Sequence, residues 1–153
     1  MKNRKEQETQ DYAAKYYEEQ RYTKGYSVKY QNWWSKKMID LVGPNGKILD
    51  VGCGTGYFAE KFLSKYDVMG VDISEEMIRY AQTRMKKAVQ GDAQNMPFPD
   101  NTFDVVIARS LLHHLPDPKQ GAKEIKRVLK NGGRVIFADT HNSFLSDLPR
   151  KIM

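Results

Sequence analysis

The sequence predicts an α/β fold in which helices cover both faces of a parallel β-sheet. From Lys47 onwards, short apolar segments typical of strands alternate with segments of helical periodicity. One apolar segment, residues 103–108, is nearly continuous, as in strands of a sheet covered on both faces. Right-handed crossovers between such strands give a doubly wound sheet. The 153 residues are enough for one domain with a substantial core.

The N-terminal part of the chain has a different pattern, because it is rich in aromatic residues and contains no strand signal. One face of a first predicted helix carries Tyr12, Ala13, Tyr16 and Tyr17, and one face of a second carries Tyr30, Trp34, Met38, Leu41 and Val42. The second helix should end at Gly43–Pro44. We interpret residues 1–45 as a helical cap, residues 46–140 as the core and residues 141–153 as a C-terminal helical tail, all within one domain.

The first half of the core is predicted to contain three strands, at residues 47–51, 68–72 and 88–90. A glycine turn and a helix reaching about Lys65 should follow the first strand. Ser74 is a natural N-cap for the helix after the second strand. The buried face of that helix should consist of Met77, Ile78, Ala81 and Met85.

The second half of the core is predicted to add a fourth strand, a helix and a fifth strand. The fourth strand covers residues 103–108, and Asp117 caps the helix that follows, with Pro118 in its first turn. Asn131–Gly133 should end this helix, and residues 134–139 should form the fifth strand. The residues of the helix expected to face inward are Ala122, Ile125, Val128 and Leu129.

Composition narrows the class of partner and compartment. The net charge is +6, but the basic residues are interleaved with glutamates, which favours a solvated surface over a nucleic-acid footprint and leaves RNA open on charge alone. No apolar run approaches the roughly 20 residues of a membrane span, and the N-terminus lacks a signal-peptide pattern. The cytoplasm is therefore the expected compartment, and the single cysteine, Cys53, suits a reducing one.

The candidate site lies where predicted parallel strands end. The first strand runs into glycines at alternate positions, and Asp50, Asp72 and Asp92 lie at or beside three strand ends. Asp72 follows Gly52 by about twenty residues, the separation at which an acidic residue reaches a ribose diol. In a dinucleotide fingerprint the third glycine comes one residue later than Gly56, which disfavours an NAD-dependent oxidoreductase. Each aspartate could instead cap a helix or form a turn.

Five segments in order resemble the motifs of class I S-adenosylmethionine-dependent methyltransferases. Residues 48–56 resemble the first motif, and the later motifs are matched by residues 68–74, 91–98, 103–115 and 129–139. The resemblance is closest to the small-molecule branch with a helical cap, which includes the ubiquinone and menaquinone type enzymes. It implies a Rossmann-like sheet of order 3-2-1-4-5. The family's final antiparallel strand pair has no counterpart here, so we expect the fifth strand to form an edge, in a truncated or short form or in a subunit completed by a second copy or another partner.

The resemblance also implies the reaction and the residues of the site. The reaction is methyl transfer from S-adenosylmethionine to a small-molecule acceptor, which leaves S-adenosylhomocysteine. Asp72 would hold the ribose hydroxyls, Ile73 would contact the adenine, and Asp92 would accept from the adenine amino group. Ala93 would lie beside the adenine, and Tyr12 or Tyr16 would cover the cofactor. The segment from Arg109 would close over the methionine end. The methionine and ribose side would be lined by Asp50, Gly52, Gly54 and Gly56, and the predicted cofactor-binding set also includes Cys53 and Met77.

Catalytic roles are less clearly indicated by the pattern. His113 or His114 could serve as a base for a hydroxyl acceptor, since the pKa of histidine suits that task; alternatively, the pair only shapes the loop. The two histidines are not expected to bind a metal, because side chains of adjacent residues should point apart and no third ligand accompanies them. Cys53 has no basic partner in the sequence that would make it a nucleophile. A second hypothesis is a cofactor-binding module or partner-dependent subunit without activity of its own.

Overall fold

The computed structural model describes residues 4, 25–44, 46–85 and 87–138. Within them, five parallel strands form one sheet in the order β3-β2-β1-β4-β5. The strands are β1 (Lys47–Val51), β2 (Asp67–Asp72), β3 (Ala88–Gln90), β4 (Phe103–Arg109) and β5 (Leu129–Ala138). This order and these directions confirm the predicted Rossmann-like architecture.

Helices pack on both faces of the sheet. They are α1 (Gly25–Val42), α2 (Glu75–Gln82) and α3 (Pro118–Val128), with two short 3₁₀ helices at Ala59–Phe62 and Leu112–His114. One apolar cluster joins α1, the first 3₁₀ helix and α2 to one face of the sheet, and a second joins α3 to the other. Because β1 and β4 are buried between these layers, their apolar residues are almost fully excluded from solvent.

The starts of α2 and α3 follow the predicted capping chemistry. The Ser74 hydroxyl accepts the Met77 N–H at 3.1 Å, and Met77, Ile78, Ala81 and Met85 are all buried. One oxygen of Asp117 accepts the N–H groups of the second and third residues of α3, and Pro118 occupies the first position. Both helix starts are therefore fixed at the edge of the sheet where the strands end.

The segment after β1 differs from the prediction of a helix reaching Lys65. The structure has turns and a four-residue 3₁₀ helix instead. Phe58, Phe62 and Tyr66 still form one face, with successive ring centroids 5.1 and 6.3 Å apart. Several backbone bonds span three residues rather than four, as in Lys61 N–H to Phe58 C=O. Aromatic residues are poor α-helix formers, and here their packing determines the shape of the segment.

The boundary between α3 and β5 also differs from the prediction. The helix ends at Val128, and Leu129, expected on its inner face, instead begins β5 and pairs with Phe103. The register then shifts, so that Val105 pairs with Arg134, and Asn131–Gly133 form an irregular part of the strand rather than the helix end. Backbone pairing with β4 thus replaces the last helical turn that the apolar pattern predicted.

The buried face of α1 is narrower than predicted. Met38 and Val42 are fully buried and Trp34 partly, but Leu41 is 54% exposed. Leu41 lies about 100° around the helix from Val42, beside the partly buried Trp34 and away from the buried Ser35, so it falls at the edge of the buried face. The other predicted helix, with Tyr12, Ala13, Tyr16 and Tyr17, lies outside the described residues.

The C-terminus of α1 is bound by a residue from β5. Arg134 donates to the carbonyl oxygens of Leu41 and Val42 at 3.2 and 2.7 Å. The Tyr66 hydroxyl donates to the next carbonyl, that of Gly43, at 2.7 Å. These carbonyls have no partner within the helix, so side chains distant in sequence satisfy them. Among the helices in the described part of the chain, none is long and apolar enough to cross a membrane.

Candidate functional site

The candidate site lies at the carboxyl edge of the sheet, around β1. Because all five strands are parallel, the residues following β1, β2, β3 and β4 meet at this one edge. The strand order reverses between β1 and β4, since β2 and β3 lie on one side of β1 and β4 and β5 on the other. In doubly wound sheets such a reversal opens a crevice that binds ligands.

The glycine turn after β1 is attached to β2 by its backbone. The N–H groups of Gly52 and Cys53 both donate to the Val71 carbonyl, at 2.8 and 3.1 Å. Gly52 and Gly56 have φ angles of 73° and 75°, which other residues rarely adopt. A Cβ on Gly56 would lie 3.2 Å from the Cα of Ala81 in α2. The turn therefore needs glycine both for its conformation and for its close contact with α2.

The carboxylate of Asp72 connects this turn to the start of α2. One oxygen accepts the Gly54 N–H at 2.9 Å, and the other accepts the Ser74 N–H at 3.0 Å. The residue is half-buried at the end of β2. A carboxylate offers about four lone-pair positions, so two backbone bonds leave capacity for further donors such as hydroxyls. The pattern placed Asp72 at this edge, and the structure supplies the partners that orient it.

Asp50 lies beneath the turn and is only 4% exposed. Burial raises the pKa of its carboxyl from 3.8 to about 7, with Arg109 opposing this rise and the nearby charge of Asp72 adding to it. The guanidinium of Arg109, at the end of β4, lies 4.5 Å from the ring centroid of Phe58. Two acidic side chains and one cation thus approach the turn from three strand ends.

Cys53 lies within the turn but is suited to packing rather than chemistry. Its side chain is buried, and burial, with Asp72 and Asp50 adding, raises the pKa of the thiol well above its usual value. The thiolate needed for nucleophilic attack is therefore disfavoured. Its sulfur would lie 2.8 Å from a Cβ placed on Gly70 of β2, so it fills the space that this glycine leaves.

The other predicted cofactor-binding residues that the structure describes lie just beyond the ends of β2 and β3 or in α2. Asp92 follows β3, and its Oδ1 accepts the Gln94 N–H at 2.9 Å, so the turn-forming role considered for it is present. Ala93 and Met77 are buried, and Ile73 is half-buried with its carbonyl bound to the Gln90 side chain at 3.0 Å. The predicted cap residues Tyr12 and Tyr16 lie outside the described residues.

The two candidate catalytic histidines are exposed on the second 3₁₀ helix, just beyond β4. The ring centroids of His113 and His114 are 4.1 Å apart, so the two side chains lie side by side, contrary to the expectation that adjacent residues point apart. Leu111, just before them, lies against the glycine turn, since a Cβ on Gly52 would be 3.0 Å from its Cδ1. Among the described residues, no group of three or more His, Cys, Asp or Glu side chains is arranged to hold a metal ion.

Three residues near the turn were not singled out by the sequence. The Phe58 ring lies against the Arg109 guanidinium, the Leu111 side chain packs on Gly52, and Thr55 within the turn is 1% exposed. The Thr55 hydroxyl has no hydrogen-bond partner among the described residues. Its position inside the glycine run was the one available signal; the contacts of Phe58 and Leu111 depend on how β4 docks against β1.

Known proteins match this region in sequence and in fold. The methyltransferase domain family matches residues 49–137. Demethylmenaquinone methyltransferase of Listeria welshimeri is 35% identical over 127 residues, covering 74% of this chain and 54% of that protein. 27-O-demethylrifamycin SV methyltransferase of Amycolatopsis mediterranei is 39% identical over 103 residues, covering 61% of this chain and 38% of that protein.

Solved structures show the same relationship. The YcgJ protein of Bacillus subtilis has a TM-score of 0.65 and 31% identity, covering 69% of this chain and 49% of that one. The chain spans about half the length of the relatives it matches. The family match covers more than half of the chain and includes the strand ends described above. The chain therefore belongs to the class I S-adenosylmethionine-dependent methyltransferase family.

Proposed function

We propose that this chain binds S-adenosylmethionine at the carboxyl ends of β1, β2 and β3 and transfers its methyl group to a small molecule. The observation that carries this proposal is the Asp72 carboxylate, held by the N–H groups of Gly54 and Ser74 at 2.9 and 3.0 Å. So held, it can accept from both hydroxyls of a ribose without reorganising. A pyrophosphate, with its negative charge, would be repelled by Asp72.

The charges around the turn suit the other end of the same ligand. S-adenosylmethionine carries cations at its sulfonium and amino groups and an anion at its carboxylate. Asp72 provides complementary negative charge, to which Asp50 adds above its raised pKa of about 7, and the Arg109 guanidinium is a partner for the carboxylate. The bare backbone at Gly54 allows close approach. These residues therefore fit the whole cofactor rather than its adenosine part alone.

The chain has to position the reactants more than activate them. When bound, S-adenosylmethionine supplies a methyl group already activated by its positively charged sulfur. Alignment then contributes most of the rate: the acceptor's lone pair forms the new bond to the methyl carbon in line with the carbon–sulfur bond that breaks. We propose that the segment from Arg109 shields this reaction from water and that His113 or His114 takes the acceptor's proton.

The comparisons support a small molecule as the acceptor. The names of the two relatives give demethylmenaquinone and 27-O-demethylrifamycin SV as acceptors. The matched part covers only 54% and 38% of these two proteins, so the acceptor itself is not transferred to this chain. A second candidate function follows from the same length difference: a cofactor-binding module that needs further chain or a partner for turnover.

Calorimetry with S-adenosylhomocysteine tests cofactor binding. Asp72→Ala removes two charge-assisted hydrogen bonds, so affinity should fall by about tenfold to a hundredfold. The matched control is Asp67→Ala, which removes an exposed aspartate paired with Lys87 at the opposite end of β2 and should bind like the wild type. A folded wild-type sample that does not bind, or equal affinity of both variants, would contradict the proposal.

Turnover distinguishes the two candidate functions. The wild-type chain is incubated with methyl-labelled S-adenosylmethionine and a panel of quinols, phenols and amines, and light scattering gives its oligomeric state. Labelled product from a monomer supports the enzyme. Cofactor binding without labelled product, together with a dimer or larger complex, supports the module.

A further inference from the structure

The loop between β3 and β4 is attached to α3 by an ion pair whose carboxylate is buried and whose guanidinium is partly exposed. Glu124 is 8% exposed, and both of its carboxylate oxygens accept from Arg127, from Nε and Nη2, each at 2.8 Å. The same two side chains bind both polar backbone groups of Met96 in the loop. Glu124 Oε2 accepts the Met96 N–H at 2.8 Å, and Arg127 Nη2 donates to the Met96 carbonyl at 3.0 Å.

The other nitrogen of the guanidinium extends this attachment along the loop. Arg127 Nη1 donates to the Phe98 carbonyl and to the Asp100 carboxylate, both at 2.7 Å. The guanidinium thus makes five hydrogen bonds, to one residue of its own helix and three of the loop. A planar fork fixes direction as well as distance, which a lysine ammonium cannot do.

A second set of bonds holds the beginning of the loop. Gln120 of α3 donates to the Gln94 carbonyl at 3.1 Å, and the Gln94 side chain accepts the Asp117 N–H at 2.8 Å. The Gln94 N–H in turn donates to Asp92 Oδ1 at 2.9 Å. A continuous chain of hydrogen bonds therefore runs from α3 to Asp92, which belongs to the proposed cofactor site.

We propose that Glu124 and Arg127 are positioning residues that set the adenine side of the cofactor site through this loop. This inference rests on the proposed function, in which Asp92 and Ala93 contact the adenine. Burying an ion pair contributes little net stability, because desolvation offsets the attraction. Its distinctive effect is geometric: it fixes Met96 and Phe98, and with them the path of the loop that carries Asp92.

The test compares two ligands rather than one affinity. S-inosylhomocysteine has a carbonyl oxygen where S-adenosylhomocysteine has the adenine amino group, so an Asp92 acceptor in the correct place should favour the adenosyl ligand by about tenfold. Calorimetry gives this preference for the wild type, Arg127→Lys and Gln120→Ala. We expect Arg127→Lys to lose most of the preference and Gln120→Ala to lose about half of it on a logarithmic scale.

A destabilised control separates positioning from general loss of stability. Val68→Ala removes buried methyl groups at the amino end of β2, on the opposite sheet face from α3, and should keep the full preference despite a lower melting temperature. If Arg127→Lys does not fold, Glu124→Gln decides the question, because it keeps an oxygen acceptor for the Met96 N–H but removes the charge that holds Arg127, and it should lose part of the preference. Variants that bind with the wild-type preference overturn the positioning role alone, whereas a wild type that binds neither ligand overturns the proposed function and this role with it.

Discussion

Replacing Asp50 with asparagine removes an acid whose protonation should control the stability of the core. In the unfolded chain its pKa is 3.8, and in the fold burial raises the pKa to about 7 against the opposing charge of Arg109, with Asp72 adding to the rise. The folded state therefore holds this proton more tightly than the unfolded state. Its contribution to stability is complete below the lower pKa and is lost as the pH rises to the upper one.

The size of this effect follows from the two pKa values. Between about pH 5 and about pH 8, the free energy of unfolding of the wild type should fall by about 3 kcal/mol through this one group. Hydrogen bonds from Arg127 and Lys130 lower the pKa values of Glu124 and Asp104, so these two carboxylates stay charged over the same range. Asp50→Asn cannot titrate at this position, so it should lack this pH dependence.

Urea unfolding followed by circular dichroism measures the difference. Wild type and Asp50→Asn are unfolded at several pH values across that range, and the difference between their unfolding free energies is plotted against pH. Asp40→Asn, at an exposed position of α1, controls for the loss of an aspartate as such. A difference that changes by less than about 1 kcal/mol across the range would show that the Arg109 charge outweighs burial and that Asp50 is ionised in the fold throughout.

Three further substitutions test other parts of the structure. Gly56 has a φ of 75°, and Gly56→Ala places a methyl group 3.2 Å from the Cα of Ala81. The free energy of unfolding should therefore fall by about 2 kcal/mol or more, and with it the melting temperature; an unchanged melting temperature would contradict the close packing. Asp117→Ala removes the cap of α3 and should cost about 1 kcal/mol in urea unfolding, with no loss meaning that water replaces the cap. His113→Ala and His114→Ala should each leave stability within about 0.5 kcal/mol, because both side chains are exposed. One of them should lower turnover of a hydroxyl acceptor by about a hundredfold, and full turnover in both would place the base elsewhere.

The strands were the most predictable part of the fold. The predicted limits of β1 and β3 agree with the structure, and β4 ends one residue later than predicted, at Arg109. Strands buried on both faces appear in sequence as short apolar runs, and the glycines, prolines and caps between them mark their ends. The helix boundaries were harder, because the apolar residues around Val128 and Leu129 suit either a helix or a strand, and only the pairing with β4 decides between them.

The sequence predicts the residues of the candidate site that lie at strand ends. It does not predict the contacts that form when elements distant in sequence pack against one another. The approach of Asp72 to the glycine turn follows from parallel strands ending at one edge. Nothing in the local pattern relates Arg127 to Phe98, 29 residues earlier, or Arg109 to Phe58. These contacts depend on the packing of elements that are separate in sequence. The assignment of the site residues to parts of the cofactor stays a prediction.

The bonds from Arg134 to the end of α1 have a consequence for the order of folding during synthesis. Val42 precedes Arg134 by 92 residues. At the usual rates of translation, the ribosome takes about 5 to 20 s to add such a length of chain. Until then, the last carbonyls of α1 lack the guanidinium that binds them in the native state. The first described helix of the chain should therefore be among the last to reach its final position, and a nascent chain stalled before Arg134 should leave it open to proteolysis.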